Sequence, residues 1–436
     1  NNGVAEEEEG REGQPVAYVE CYSDWRVLSQ TVVIRKMNLL EKSFVVYTQM
    51  AVMPLDPNLD SVRLNLGRNC KLPNEAGGST TFPVAVNDIE ASYQRVDPYE
   101  GMASSCREKS MAELLRVRSD RLSAHEGELI IYIPPEVRPL IQRQICIKVS
   151  LEVYVRNPVD GVQFNVHIGA DRELERGAHA FTYRSSLQSS TSEWLPCIDA
   201  PDQLSLWTIH FTCEAAHTVV MSAELMECEQ LPGGGEKTYH YQQLVPTAPM
   251  NMGWAVGHFT PCPHKDMPEM TNFSLPGLAS LVSHTTANLD RTFEYLEELL
   301  SCRYPFPSFK QCFVDNLPED VVAYSSFSLV SVNVLYHKKI IDVVQRTRQL
   351  LAYSIASQFF SCFISAADFA DMWVVRALAR YLTSLYVEKV FGRCESLFHS
   401  KRMLADLCEF ESDWGSVMLR PVNDNVYPMT HAPTGS

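Results

Sequence analysis

Two hydrophobic periods divide the chain. From about residue 17 to residue 260, apolar positions come in short runs with a period near two. Val32, Ile34 and Met37 form one such run, Phe44-Val45-Val46-Tyr47 a second, and Val62, Leu64 and Leu66 a third. Pro54, Asp56, Pro57 and Asn58 separate the second from the third, as expected of strands joined by turns. The longest alternation is Ile145, Ile147, Val149, Leu151, Val153, Val155, which predicts a strand with one face in a core. Asn157-Pro158-Val159-Asp160-Gly161 then turns the chain into Val162, Phe164 and Val166, and Gly233-Gly234-Gly235 is expected to join a hairpin.

From about residue 265 the period lengthens to three and four. Leu278, Leu281, Val282, Leu289, Phe293, Leu296 and Leu300 predict one long amphipathic helix, and Cys312-Phe313-Val314-Asp315 a short strand. In Leu350–Leu382 two helices are expected. Leu351, Ile355 and Phe359 recur four apart, with Tyr353, Ser357 and Phe360 on an adjacent stripe, so the first should be buried over most of its circumference. The second carries Met372, Val375, Ala379 and Leu382 and continues to Phe391-Gly392. Phe398, Met403, Leu404 and Leu407 suggest another helix.

The polar stretches interrupt this pattern at two places. Residues 1–16 hold Glu6-Glu7-Glu8-Glu9 and little that could pack, which predicts a solvated acidic segment. The charged run Ala103–His125 is expected to be an insertion, with a short helix near Met111–Val117. The expected organisation is therefore an acidic segment (1–16), a β-rich domain (17–260, with an insertion at about 100–126) and a mainly helical domain (261–436).

Composition narrows the function. The chain has 436 residues and a formal net charge of -16, so bulk charge does not draw it to nucleic acid, and DNA contact would need a local basic patch. The candidates, Arg346 with Arg348, Arg376 with Arg380 and Lys401 with Arg402, read first as solvated helix faces. Thirteen cysteines without a C-x-x-C pair suggest free thiols in a reducing compartment. No apolar run approaches the length that spans a bilayer as a helix. Opening on Asn1-Asn2 rather than Met, the chain is expected to be part of a longer protein.

The helix pair resembles the zinc-site helices of the M1 metallo-aminopeptidases. That family shows His-Glu-x-x-His on the first helix and a Glu ligand on the second. Ala352, Ala356, Gln358, Phe360, Asp371, Trp373, Ala379 and Tyr381 match its frame. Glu193-Trp-Leu-Pro-Cys-Ile-Asp-Ala-Pro201 resembles another family stretch, and Ala255-Val-Gly-His-Phe259 its closing strand of the first domain. The resemblance implies an α+β architecture, an N-terminal β-rich saddle domain followed by a mainly helical thermolysin-like domain truncated at its C-terminal end. At the ligand positions it implies a lost metal site. Tyr353 and Ser357 stand for the zinc histidines, Ser354 for the general base, Arg376 for the third ligand, and Ser325 for the glutamate that holds a substrate's amino group. Two His four apart on one helix face can share zinc, with a Glu between them taking a proton from its water. Neutral hydroxyls are poor zinc ligands, and an Arg at about 4 Å would repel a divalent ion by roughly 8 kcal/mol at an effective dielectric near 20.

One zinc-free branch of this superfamily is the family of subunit 2 of the general transcription factor TFIID. Asn87-Asp88-Ile89-Glu90-Ala91, Arg176-Gly177-Ala178-His179, Cys302-Arg303-Tyr304-Pro305, Val322-Ala323-Tyr324 and Gln358-Phe359-Phe360-Ser361-Cys362-Phe363-Ile364-Ser365 resemble it. What this implies is a nuclear, non-catalytic scaffold without a cofactor. Its expected partners are other TBP-associated factors and, in the assembled complex, core promoter DNA. Two alternatives stay open: an active zinc aminopeptidase with a relocated site, and an inactive peptide-binding relative outside transcription. The first is disfavoured because none of the 12 His forms a pair four apart. The replaced positions are further expected to give a plugged cleft.

Overall fold

The computed structural model describes residues 24–72, 82–98, 127–166, 177–183 and 191–415. The acidic segment, the charged run Ala103–His125 with its expected helix, and the stretch after residue 415 lie outside the described residues.

Six strands carry the largest sheet: β1 (Trp25–Asn38), β2 (Ser43–Pro54), β3 (Ile147–Arg156), β4 (Ser205–Glu214), β5 (Glu224–Gln230) and β6 (Glu236–Thr247). They run in the order β5-β6-β4-β1-β2-β3, followed by the short strands Ala85–Val86 and Ile89–Glu90, while Cys70–Lys71 also pairs with β3. All the pairings among the six are antiparallel except β1 with β4, which is parallel from Ser29↔Leu206 to Ile34↔Phe211. The expected alternation sets β3: Ile147, Val149, Leu151, Val153 and Val155 all enter one core. Ile145 stays outside the strand and exposed. Gly233-Gly234-Gly235 closes the β5–β6 hairpin as expected, with positive φ at Gly233 and Gly234, a region that favours glycine.

A four-stranded sheet of Val162–Asn165, His179–Thr182, Trp254–Gly257 and Thr218–Met221 faces the large one. Both sheets feed the same core, as do the strands Ser61–Leu64 and Leu129–Tyr132 of a three-stranded sheet and Ile141 of the short helix α1 (Arg138–Gln142). Trp254 sits at the centre, its ring edge-on to Phe44, Trp194 and Phe211 at 5.8, 5.9 and 5.4 Å between centroids. The corner after Trp194 closes as its residues dictate, with Asp199 accepting the backbone N–H of Ser192 at 2.9 Å.

The third sheet holds β7 (Thr260–Pro263), β8 (Met270–Ser274), β9 (Phe309–Val314), β10 (Val321–Tyr324) and β11 (Phe327–Ser331), ordered β7-β8-β9-β11-β10. Against it lie helices α2 (Ala279–Thr285), α3 (Leu289–Leu300) and α4 (Val344–Phe359), followed by α5 (Met372–Phe391) and α6 (Arg393–Trp414). The single long helix expected over Leu278–Leu300 is two. Thr286 turns its hydroxyl back onto the Val282 carbonyl at 2.8 Å and accepts from Asn272 at 3.2 Å. This ties a β-branched side chain to the backbone where the helix would continue. Gly392, at φ 94°, separates α5 from α6. A core of Phe181, Val220, Ala255 and Phe259 with Cys312, Tyr324, Phe327 and Leu329 joins the four-stranded sheet to the third sheet.

Candidate functional site

The α4–α5 pair packs against the third sheet; α4 carries Tyr353, Ser354 and Ser357, α5 carries Arg376, and Ser325 lies in the β10–β11 turn. No glycine or proline interrupts α4, and from Leu351 to Phe359 every side chain except Tyr353 is buried. This is the nearly all-round burial that the four-residue recurrence predicts. Its partner α5 lies alongside, with Ala379 and Leu382 in the same core as Leu351 and Ile355.

The sequence-predicted positions divide by environment. Ser354 is fully buried, and its hydroxyl accepts from the Gln311 side-chain amide on β9 at 3.3 Å. Ser357, one turn on, is also buried, and its Oγ lacks a hydrogen-bond partner among the described residues. Tyr353 is half-buried on the same face, with the Arg380 guanidinium of α5 over its ring at 4.2 Å, a cation–π contact. Arg376 is half-buried on α5, one turn before Arg380. Ser325 occupies the β10–β11 turn, fully buried, and its Oγ is likewise unpartnered among the described residues.

One residue holds these pieces together. Gln358, fully buried on α4, donates through Nε2 to the Tyr324 carbonyl at 2.9 Å and accepts through Oε1 from the Ser326 N–H at 2.8 Å. The side-chain amide thus docks on the turn as a strand edge would. Asn251 holds the other side: its carbonyl accepts from the Ser325 N–H at 2.9 Å, and its side chain donates to the Ser361 carbonyl beyond α4 at 2.9 Å. These bonds hold Ser326 at φ 57°, unusual for a residue other than glycine, asparagine or aspartate. Gly253, two residues after Asn251, packs against the same turn, where an added Cβ would lie 2.5 Å from the Tyr324 ring.

The sequence pattern brings α4 and α5 together and sets Ser325 in the adjoining turn. Gln358 is one of the frame matches, but nothing in its spacing marks it as the amide that clamps the turn, and Asn251 gives no signal at all. Among the described residues, no three His, Cys, Asp or Glu side chains converge as metal ligands. The basic candidates are engaged in part, with Arg346 paired to Asp320 at 2.9 Å.

No family model matches the chain. Among curated proteins it is similar to transcription initiation factor TFIID subunit 2 from Caenorhabditis elegans, at 41% identity over 403 residues, which cover 92% of this chain and 36% of that protein. The same subunit from Gallus gallus is 33% identical over 404 residues, covering 91% and 34%, and that from Drosophila melanogaster 31% identical over 407 residues, covering 91% and 32%. The chain thus spans about a third of the length of these relatives. Among solved structures, yeast LTA4 hydrolase in complex with bestatin superposes with a TM-score of 0.73 at 14% identity, covering 97% of this chain and 59% of that one. Legionella pneumophila aminopeptidase A superposes with a TM-score of 0.62, also at 14% identity, covering 85% and 38%. At such identity the likeness is one of fold: an aminopeptidase-like α+β architecture with a β-rich N-terminal part.

Proposed function

Since this chain is a homologue of TFIID subunit 2 over about nine tenths of its length, we propose that it serves as a non-catalytic scaffold segment of that subunit. The observation that carries the reading is the 41% identity to the Caenorhabditis elegans protein across 403 residues. In this reading the protein is nuclear, joins the complex through other TBP-associated factors, and contributes to core promoter recognition and preinitiation complex assembly for RNA polymerase II. The β-rich domain ends near residue 260, where the hydrophobic period changes.

The zinc of the fold family does not fit the residues present. In this reading Tyr353, Ser357 and Arg376 occupy the ligand positions and Ser354 that of the base. A phenol whose ring is covered by Arg380 and a buried serine hydroxyl are weak donors, and a guanidinium cannot deprotonate to coordinate. Ser325 offers no charge for a substrate ammonium. The packed helix pair is read as structural support rather than a reaction centre.

The test is affinity purification of the full-length protein from nuclear extract, with metal analysis and an aminoacyl-fluorogenic substrate panel on the isolated chain. Co-purification of TBP and its associated factors, without turnover, is the expected result. Turnover that vanishes when the chain is stripped of metal overturns the non-catalytic reading, and failure to recover TBP overturns the TFIID assignment.

A further inference from the structure

The large sheet turns Ile209, Phe211, Tyr239 and Tyr241 into the core, so the intervening side chains of β4 and β6 stand on its outer face. There His210 and His240 are directly opposed across the strand pair. Their Nδ1 atoms are 2.6 Å apart, and their rings meet edge to face at 4.8 Å. Two Nδ1 atoms this close share one proton: one donates and the other offers its lone pair. On the neighbouring β5, Glu229 stands beside His240, with its Oε2 3.7 Å from Nε2, and Glu227 lies opposite His240 in register. At 3.7 Å the Glu229 carboxylate is beyond hydrogen-bond reach, but its charge favours a ring proton on Nε2 over one on Nδ1, which leaves Nδ1 of His240 as the lone pair facing His210. A carboxylate behind a histidine, with the free nitrogen aimed at a second imidazole, is how protein metal sites orient their ligands.

We propose that His210 and His240 form a two-imidazole site for a divalent transition-metal ion of the Zn²⁺ or Co²⁺ type, with Glu229 as the positioning residue and water completing the coordination. Metal–nitrogen bonds of about 2.0–2.1 Å at a tetrahedral angle put the nitrogens about 3.3 Å apart, so the rings need to part by only roughly 0.7 Å. Both imidazoles are half-buried, and Glu227 and Glu229 are exposed, which leaves an entry path from solvent. When the metal enters, the His210 proton moves to its own Nε2. No proton is consumed, and no oxidant or reductant is required. The site stands on β4 and β6, apart from the helix pair, and does not depend on the TFIID reading.

Titration of the purified chain with Co²⁺, followed by electronic absorption, with Zn²⁺ competition, tests this. Expected is one ion per chain with ligand-field bands and without the near-ultraviolet charge transfer of thiolate ligation, a signature that separates this site from the 13 cysteines. His210→Ala and His240→Gln abolish the bands. Glu229→Gln weakens binding roughly tenfold while leaving their shape. Thr212→Ala, on the same face, leaves binding unchanged and controls for disturbance of the sheet. Bands that persist in both histidine variants, thiolate-type bands alone, or no binding by the parent chain overturn the proposal.

Discussion

Glu193 is an acid of the β-rich part whose proton is tied to the fold. Its carboxylate accepts from the Asn69 amide at 3.0 Å and fills the space where a Cβ on Gly67 would sit. Burial, reinforced by nearby Asp160 and only partly offset by Arg68, pushes Glu193 up to about 7. The sign follows from proton counting. Between about 4.5 and 7 the folded chain keeps this proton and the unfolded chain has released it, so stability falls as pH rises through that window and levels off above it. The full effect is up to roughly 3 kcal/mol, less the part screened where the side chain meets solvent. Glu193→Gln should therefore flatten the slope of unfolding free energy between pH 5 and 7.5 and stabilise the chain at the upper end. An unchanged slope in denaturant titrations at the two pH values would contradict the assignment. At the same scale, Gln358→Ala strips the Ser326 N–H and the Tyr324 carbonyl of a buried partner, and should cost about 3 kcal/mol in the same measurement. Neither role was legible in the sequence. A hydrophobic pattern locates a buried helix but does not say which amide on it will find a turn 32 to 34 residues away, nor which acid will be enclosed.

At the scale of elements, periodicity served where one face meets one core. α4 follows it almost residue by residue, and β3 sends all its apolar alternates into one core, although Ser150 and Glu152 between them are buried on the other face as well. It failed where a side chain competes with the backbone. Leu278–Leu300 keeps a helical period across the Thr286 break because α2 and α3 share the core formed by Val282, Leu289, Phe293 and Leu296. The α4–α5 pair also carries a direct test of the proposed lost metal site. Tyr353→His, Ser354→Glu, Ser357→His and Arg376→Glu together would set two imidazoles four apart on α4 opposite a carboxylate on α5. Under the proposal that combined variant should bind one more Zn²⁺ than the parent chain, and a matched variant that keeps Ser357 while carrying the other three changes should lose the increment. Equal zinc content in the combined variant and the parent would mean that these positions do not face a common point. Pairing of His210 with His240 lay beyond any local pattern. The two are 30 residues apart, and only the register of β4 on β6 opposes them.

For the molecule as a whole, the broad outline was readable: a change of period near residue 260, strands before it and helices with a small sheet after it. What the chain offers to a partner depends instead on charge, and here the structure sharpens the expectation from composition. A net charge of -16 opposes approach to a duplex, and two of the candidate cations have other engagements, Arg346 with Asp320 and Arg380 with the Tyr353 ring. Lys401 and Arg402 are exposed on α6, but Asp406, Glu409, Glu411 and Asp413 follow on the same helix. Two lysine or arginine contacts would release few counterions, and the affinity they confer would not exceed that of weak non-specific binding. The isolated chain should accordingly bind a labelled promoter duplex no more tightly than about 10⁻⁴ M, with a loss of no more than about tenfold between 50 and 200 mM salt. Fluorescence anisotropy at the two salt concentrations measures both quantities. Micromolar affinity with a steep salt slope would require a basic surface on the isolated chain. Weak binding would mean that any promoter contact by this segment depends on neighbouring subunits to supply the charge and the geometry.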